Sequence, residues 1–283
     1  YKADGPGGEG TPDWVHTVGI PDPYRGRWRT GRDDEPGARY AADVRELATR
    51  LDAEGRAPGA ILLETFPSVG GQVVPPEGYL EGAYAAVRDV GGLVIADEVQ
   101  TGFGRLGAEE WGFGTASVVP DLVVLGKPMG NGFPVAAVVT TRELAATFDT
   151  GMEFFSTFGG NPVACAAASA VLDVLDGEGL AANAERVGRR MLEGLGSLAD
   201  RHEVVGDVRG MGLFIGVEFV SDRAHRTPDA AVARAAVAGL KNRGILAGTD
   251  GPDHNVLKLR GPLVLALEDA DRVVAELEAV LGA

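Results

Sequence analysis

Two short apolar runs, each stopping at one ionisable residue and then at glycines, constrain this chain more than any other feature. The first is Leu93-Val94-Ile95-Ala96 before Asp97, continuing Glu98-Val99-Gln100-Thr101-Gly102. The second is Leu122-Val123-Val124-Leu125-Gly126 before Lys127, continuing Pro128-Met129-Gly130-Asn131-Gly132. A brief apolar run bounded by turn residues reads as a strand covered on both faces, as in a parallel sheet between helices. In such doubly wound sheets, ligands bind beyond the carboxyl ends of the strands. The chain therefore delivers a carboxylate and an amine to one edge of one sheet.

The surrounding pattern agrees. Apolar residues recur at helical spacing over 41–51, Gly59-Ala60-Ile61-Leu62-Leu63-Glu64 reads as a buried strand, and 79–90 as a helix behind Pro75-Pro76 and Gly78. Helix and strand thus alternate, which implies a parallel sheet. Residues 134–141 form a further apolar, β-branched run, whereas 1–35 are rich in Gly, Pro, Asp and Arg and read as irregular, with a turn at Pro21-Asp22-Pro23-Tyr24-Arg25-Gly26. After Asn161-Pro162 comes an alanine-rich helix to about residue 175, then a helix over 179–198, a strand over 211–220, a helix over 230–242, a strand over 256–259 and a closing helix over 267–281. The expected architecture is α/β: part of a large, mostly parallel domain over 1–163, then a smaller C-terminal α/β domain over 164–283.

Composition narrows the function classes. A net charge of −15 argues against nucleic acid or an anionic membrane as partner. The apolar runs fall far short of the roughly 20 residues that a helical membrane span needs. One cysteine, Cys165, leaves no internal disulfide framework and no cysteine zinc site. The four histidines stand without metal-ligand spacing. The start, Tyr1-Lys2-Ala3-Asp4-Gly5, has neither an initiator Met nor an apolar secretion segment, so a chain entered part-way and a cytoplasmic location are the expectations.

A free lysine, with a pKa near 10.4, is a poor nucleophile at neutral pH, and desolvation at a strand end brings its amine into range. Alone, Gly126-Lys127-Pro128 could be the start of a surface loop; the flanking strand and glycines favour chemistry. Asp97 follows four apolar residues, and a carboxylate placed there needs a cationic partner or serves as a helix cap. A protonated pyridine nitrogen would satisfy it with a charge-assisted bond worth about 1.5–3 kcal/mol. Lysine and aspartate at one sheet edge are the two protein groups that pyridoxal phosphate requires. Gln100 could donate to that cofactor's phenolic oxygen. Ser156-Thr157-Phe158-Gly159-Gly160-Asn161 could hold a phosphate at a helix start or simply cap it.

Taken together, Ala96-Asp97-Glu98-Val99-Gln100-Thr101-Gly102-Phe103-Gly104-Arg105, the Gly126–Gly132 segment and Ser156-Thr157-Phe158-Gly159-Gly160-Asn161-Pro162 resemble the signature of class III, fold type I, pyridoxal-phosphate aminotransferases. The resemblance implies that Asp97 pairs with the pyridine nitrogen, Gln100 with the ring hydroxyl oxygen, and Lys127 with the cofactor aldehyde. It also implies that Thr157 binds the phosphate of a neighbouring subunit's cofactor, hence a homodimer with shared sites acting on an amine or amino acid and a keto acid. Within the class, Glu64-Thr65-Phe66-Pro67-Ser68-Val69-Gly70-Gly71-Gln72, Gly151-Met152-Glu153-Phe154-Phe155 and Asp250-Gly251-Pro252-Asp253-His254-Asn255 are similar to the branch containing ethanolamine-phosphate and phosphohydroxylysine phospho-lyases.

Two positions depart from the aminotransferase pattern. Where many members carry an arginine for the substrate α-carboxylate, this chain has Lys258, a point charge rather than a two-pronged fork. Where they carry a glutamate that masks that arginine, it has Val69. The expected activity is aminotransfer through Lys127. The alternatives are phosphate elimination from a phosphorylated amine, with Lys258 and Arg260 as substrate-binding candidates, and an inactive fragment. The last follows because the resemblance covers only part of the family's fold, without its glycine-rich phosphate loop and ring-stacking aromatic residue; exposed apolar surface is expected for the same reason.

Overall fold

The computed structural model describes residues 8–107 and 109–282. The first sheet has the order β1 (Ala60–Glu64), β2 (Leu93–Asp97), β3 (Leu122–Leu125), β4 (Ala137–Thr140). The first three strands are parallel, with Ala60 opposite Leu93 and Ile95 opposite Leu122. β4 is antiparallel to β3, pairing Leu122 with Thr140. The segment joining them is too short for the helical crossover that a parallel return requires.

Helices α1 (Pro36–Ala53) and α2 (Tyr79–Arg88) cover this sheet. Pro36 suits the first turn of α1, and Tyr40, Val44, Ala48 and Leu51 make one buried stripe. Of these, Tyr40 and Val44 join Leu80, Ala83, Tyr84 and Val87 of α2 and Val94 of β2 in one core. Asp121 joins strand to helix: it accepts from the Val94 N–H at 2.7 Å and from Arg88 Nη2 at 3.0 Å. Leu62, Val138 and Val139 remain exposed, as do Phe148, Met152, Phe154, Phe155 and Phe158 near the short helix α3 (Arg142–Thr147). The expected apolar surface is therefore present.

The second half is built from α4 (Pro162–Gly177), α5 (Leu180–Arg201), β5 (Val205–Met211), β6 (Phe214–Asp222), β7 (Thr227–Pro228), α6 (Ala230–Asn242), β8 (Gly248–Asp250), β9 (Val256–Leu259) and α7 (Leu267–Leu281). Its sheet has the order β5-β6-β9-β8, with β7 paired to β6. Asn161 and Asp229 cap α4 and α6 by accepting backbone N–H bonds, at 3.0 Å from Ala164 and 2.9 Å from Ala231. The expected strand over 211–220 is two strands instead. The chain reverses at Gly212, with φ of +53°, and β5 precedes it. Gly206, Asp207, Arg209 and Gly210 hid β5 because its packing is set by the partner strand, not by an apolar alternation of its own. Gly188 lets α5 close on that reversal, since a Cβ there would lie 1.9 Å from the Gly212 carbonyl oxygen.

The two halves meet through an apolar cluster and a charged cluster, among other contacts. Phe66, just after β1, packs edge-on against Phe214 at 5.9 Å between centroids, with Leu106 beside them. Arg209 of β5 donates to the Gly71 carbonyl at 2.7 Å and pairs with Glu218 at 2.7 Å and with Asp207 at 2.7 Å. Arg25 also pairs with Glu218 and with Asp253. A fully buried glutamate flanked by two arginines is compensated only while both remain. Arg209→Met is expected to destabilise the protein by about 3–5 kcal/mol, seen as a lower urea midpoint, with partial recovery in Arg209→Lys.

Candidate active site

Strand register assembles the site. Glu64 pairs with Asp97, and Asp97 with Val124, so β1, β2 and β3 end together and Lys127 follows just beyond. Asp97 accepts from the Val99 N–H at 2.9 Å through one oxygen. Its other oxygen has no hydrogen bond to a described residue, so the carboxylate both shapes its turn and keeps an acceptor for a ligand. The next residue, Glu98, is fully buried and accepts from Thr65 Oγ1 at 2.7 Å, Thr101 Oγ1 at 2.5 Å, Gly112 N at 2.9 Å and Phe113 N at 3.0 Å. Glu98 is thus a structural anchor that holds the loop after β2.

Lys127 is exposed and opens a single 3-10 turn, with φ of +37°. That conformation is uncommon for a side chain bearing a Cβ and is typical of sites where neighbouring structure dictates the backbone. Partial burial lowers its pKa first, then the charges of Arg260 and Lys258, against the opposing pull of Glu64 and Asp97. Its amine is therefore free at lower pH than an ordinary lysine's. Glu64 is shifted upward, chiefly by burial and secondarily by Asp97, despite a bond from the Ser68 N–H at 2.7 Å.

The second sheet brings the remaining charges. Lys258 of β9 pairs with Asp250 of β8 at 2.8 Å, and Gln72 Nε2 donates to the same Asp250 oxygen at 2.9 Å. Val69 accepts from the Gly251 N–H at 3.0 Å through its carbonyl. Arg260 donates to both the side-chain and main-chain oxygens of Gln100 and lies 5.5 Å from the centre of the Phe214 ring. Arg105, pushed down to about 10 by burial and by Arg260's charge, donates to the Gly261 carbonyl at 2.5 Å. Asp97, Gln100, Lys127, Lys258 and Arg260 thus belong to one neighbourhood. Thr157 lies apart, exposed in the loop before α4.

Three participants were missed from sequence. Glu64 carries the same signal as Asp97, an apolar strand ending in an acid, and could have been found. Asp250 and Arg105 have no such signal, because their partners come from elsewhere in the chain. Among the described residues no group of three or more His, Cys, Asp or Glu is placed to hold a metal ion, and no helix is long and apolar enough to cross a membrane. A separate depression of about 570 Å³ lies between α1, residues 17–27 and Pro252-Asp253; none of Asp97, Gln100 or Lys127 lines it.

The sequence model of the family described as aminotransferase class-III matches residues 15–281. The chain belongs to the class III aminotransferases. It is 46% identical over 275 residues to an alanine–glyoxylate aminotransferase 2-like protein of Drosophila melanogaster, covering 96% of this chain and 56% of that one. It is 39% identical over 292 residues to ethanolamine-phosphate phospho-lyase homolog 1 of Caenorhabditis elegans, covering 99% and 62%. Among solved structures it is similar to a phospholyase from Arthrobacter in complex with phosphoethanolamine, at 41% identity and a TM-score of 0.89, covering 95% of this chain and 63% of that one. The chain therefore spans less than two thirds of these relatives. The family's cofactor is pyridoxal 5′-phosphate and its fold is type I. The residues present fit that cofactor: an accessible lysine amine with lowered pKa, an aspartate with one oxygen that makes no hydrogen bond to a described residue, and a glutamine held by Arg260.

Two outcomes follow from the charges. Glu64 has an ordinary pKa of 4.5 that folding raises, so its contribution to stability is full below pH 4.5 and is lost as pH rises through the raised value. Glu64→Gln should raise the melting temperature at neutral pH and give no gain below pH 4.5. Lys258→Met removes a cation facing Lys127, so the pH at which Lys127 begins to react with pyridoxal phosphate, followed by borohydride trapping, should move upward.

Proposed function

We propose that this chain carries the catalytic lysine of an enzyme that transfers an amino group from an amine or amino acid to a keto acid. The observation that carries the reading is Lys127: an amine with lowered pKa at the joint carboxyl end of three parallel strands, beside Asp97 and Gln100. Pyridoxal phosphate, when bound, supplies the electron sink. Lys127 Nζ would be the group that holds the cofactor and, once freed, would move the proton of the substrate carbon. Asp97 presents its free oxygen to the ring nitrogen and favours its protonated form. The exposed Thr157 and the apolar group at Phe148, Met152, Phe154, Phe155 and Phe158 support a homodimer in which Thr157 serves the neighbouring subunit. An acidic chain with one cysteine suits the cytoplasm.

A second reading has a specific observation behind it. Lys258 and Arg260 are cations facing Lys127, which suits a phosphorylated amine, and the phospholyase structure similar to this chain holds phosphoethanolamine. Elimination and transfer share the proton step at Lys127 and differ in what leaves the substrate.

Purified protein mixed with pyridoxal phosphate should give a visible band that borohydride fixes on Lys127, and Lys127→Ala should lose it together with at least about a thousandfold of activity, the scale of a catalytic base with its covalent anchor. Pyruvate formed from alanine and a keto acid supports the first reading. Inorganic phosphate released from phosphoethanolamine, without amino transfer, replaces it with the second. No band fixed on Lys127 defeats both.

A further inference from the structure

Lys258 lies in β9 and Arg260 directly follows that strand, yet they have different partners. Lys258 is neutralised by Asp250 at 2.8 Å. Arg260 has no carboxylate within ion-pair distance among the described residues. Its guanidinium is held instead by Gln100, donating from Nη1 to the side-chain Oε1 and from Nη2 to the main-chain oxygen, with the Phe214 ring beside it.

A guanidinium is a donor at every nitrogen and has no acceptor, whereas a glutamine amide has a donor end and an acceptor end. Contact with Arg260 therefore admits only one orientation of the Gln100 amide. Its oxygen faces Arg260, and its nitrogen is turned away with both N–H groups free of any acceptor among the described residues. Turned the other way, the amide would press N–H against N–H.

We propose that Arg260 is a positioning residue that locks the Gln100 amide, so that its N–H is aimed at the cofactor's phenolic oxygen and sets the proton affinity of the lysine-bound cofactor. This deepens the reading of the Lys127 site and rests on it. A donor aimed at that oxygen stabilises its anionic form, so the bound cofactor releases its proton at lower pH. Arg260 also contributes charge directly. Lys127 faces Arg260, Lys258, Glu64 and Asp97, and Arg260 faces Asp250, Glu64 and Arg105. The experiment must therefore separate orientation from charge.

The measurement is the pH titration of the visible absorbance of the pyridoxal-phosphate-loaded protein and its Arg260→Met, Arg260→Lys, Gln100→Ala and Arg260→Met/Gln100→Ala variants. Borohydride fixation on Lys127 is checked in each, so failure of the cofactor site is seen separately from failure of this proposal. Arg260→Met and Gln100→Ala should each move the midpoint upward by about 1–2 pH units, the scale of one hydrogen bond to an ionised group. In the double variant, Arg260→Met should add less than half of its single effect, because its target is gone. Arg260→Lys keeps the charge but cannot grip both oxygens in one plane, so it should retain at least half of the Arg260→Met shift. Full additivity in the double variant, or a wild-type midpoint in Arg260→Lys, would show that Arg260 acts as a charge alone and would overturn the proposal. Arg260→Lys carries the test by itself if Arg260→Met does not fold.

Discussion

The grip of Arg209 on the Gly71 carbonyl is the contact on which the site's assembly depends. Gly71 belongs to the turn that leaves β1, adopting φ of +120°, and the following residue, Gln72, is also left-handed at +52°. That turn presents a carbonyl toward β5, and Arg209 fills the space with a charge already balanced by Glu218 and Asp207. Gln72 then reaches Asp250, Asp250 fixes Lys258, and the next turn of chain carries Arg260 to Gln100. One buried ion cluster is thus linked, through Gln72 and Asp250, to Lys258. Its own components are expensive to desolvate, which makes it sensitive to loss of any member.

The first sheet contributes differently. Its parallel strands end in register, so Glu64 and Asp97 lie side by side and Lys127 emerges next to them. Burial first and Asp97 second push Glu64 upward, while burial and then Arg260 and Lys258 push Lys127 downward. The second sheet's cations therefore tune the lysine that follows the first. A lysine amine that is partly desolvated and faces two cations is more often unprotonated at neutral pH, which a nucleophile requires.

Much of this was legible in the residues. β2, β3 and β9 and helices α6 and α7 fell where apolar periodicity placed them, and Asp97 and Lys127 stand at the ends of strands, as the abrupt end of each apolar run indicated. β5 was not, because a strand carrying Gly206, Asp207, Arg209 and Gly210 owes its place to β6 and to buried partners distant in sequence. Arg260 was read from its charge alone, and nothing in the residues signalled that in the folded chain it donates to Gln100. Side-chain type announces a charge but does not say which partner takes it.

The sequence by itself determined the parallel α/β layout, the two ionisable strand ends and the family, because these are local: short apolar runs, punctuating glycines and the residues directly after them. Only the tertiary structure decided which cations remain available and which way the Gln100 amide faces. Those depend on contacts across 160 or more positions, such as Arg260 with Gln100 and Gln72 with Asp250, and on a desolvated environment that exists only once the two sheets have closed on each other.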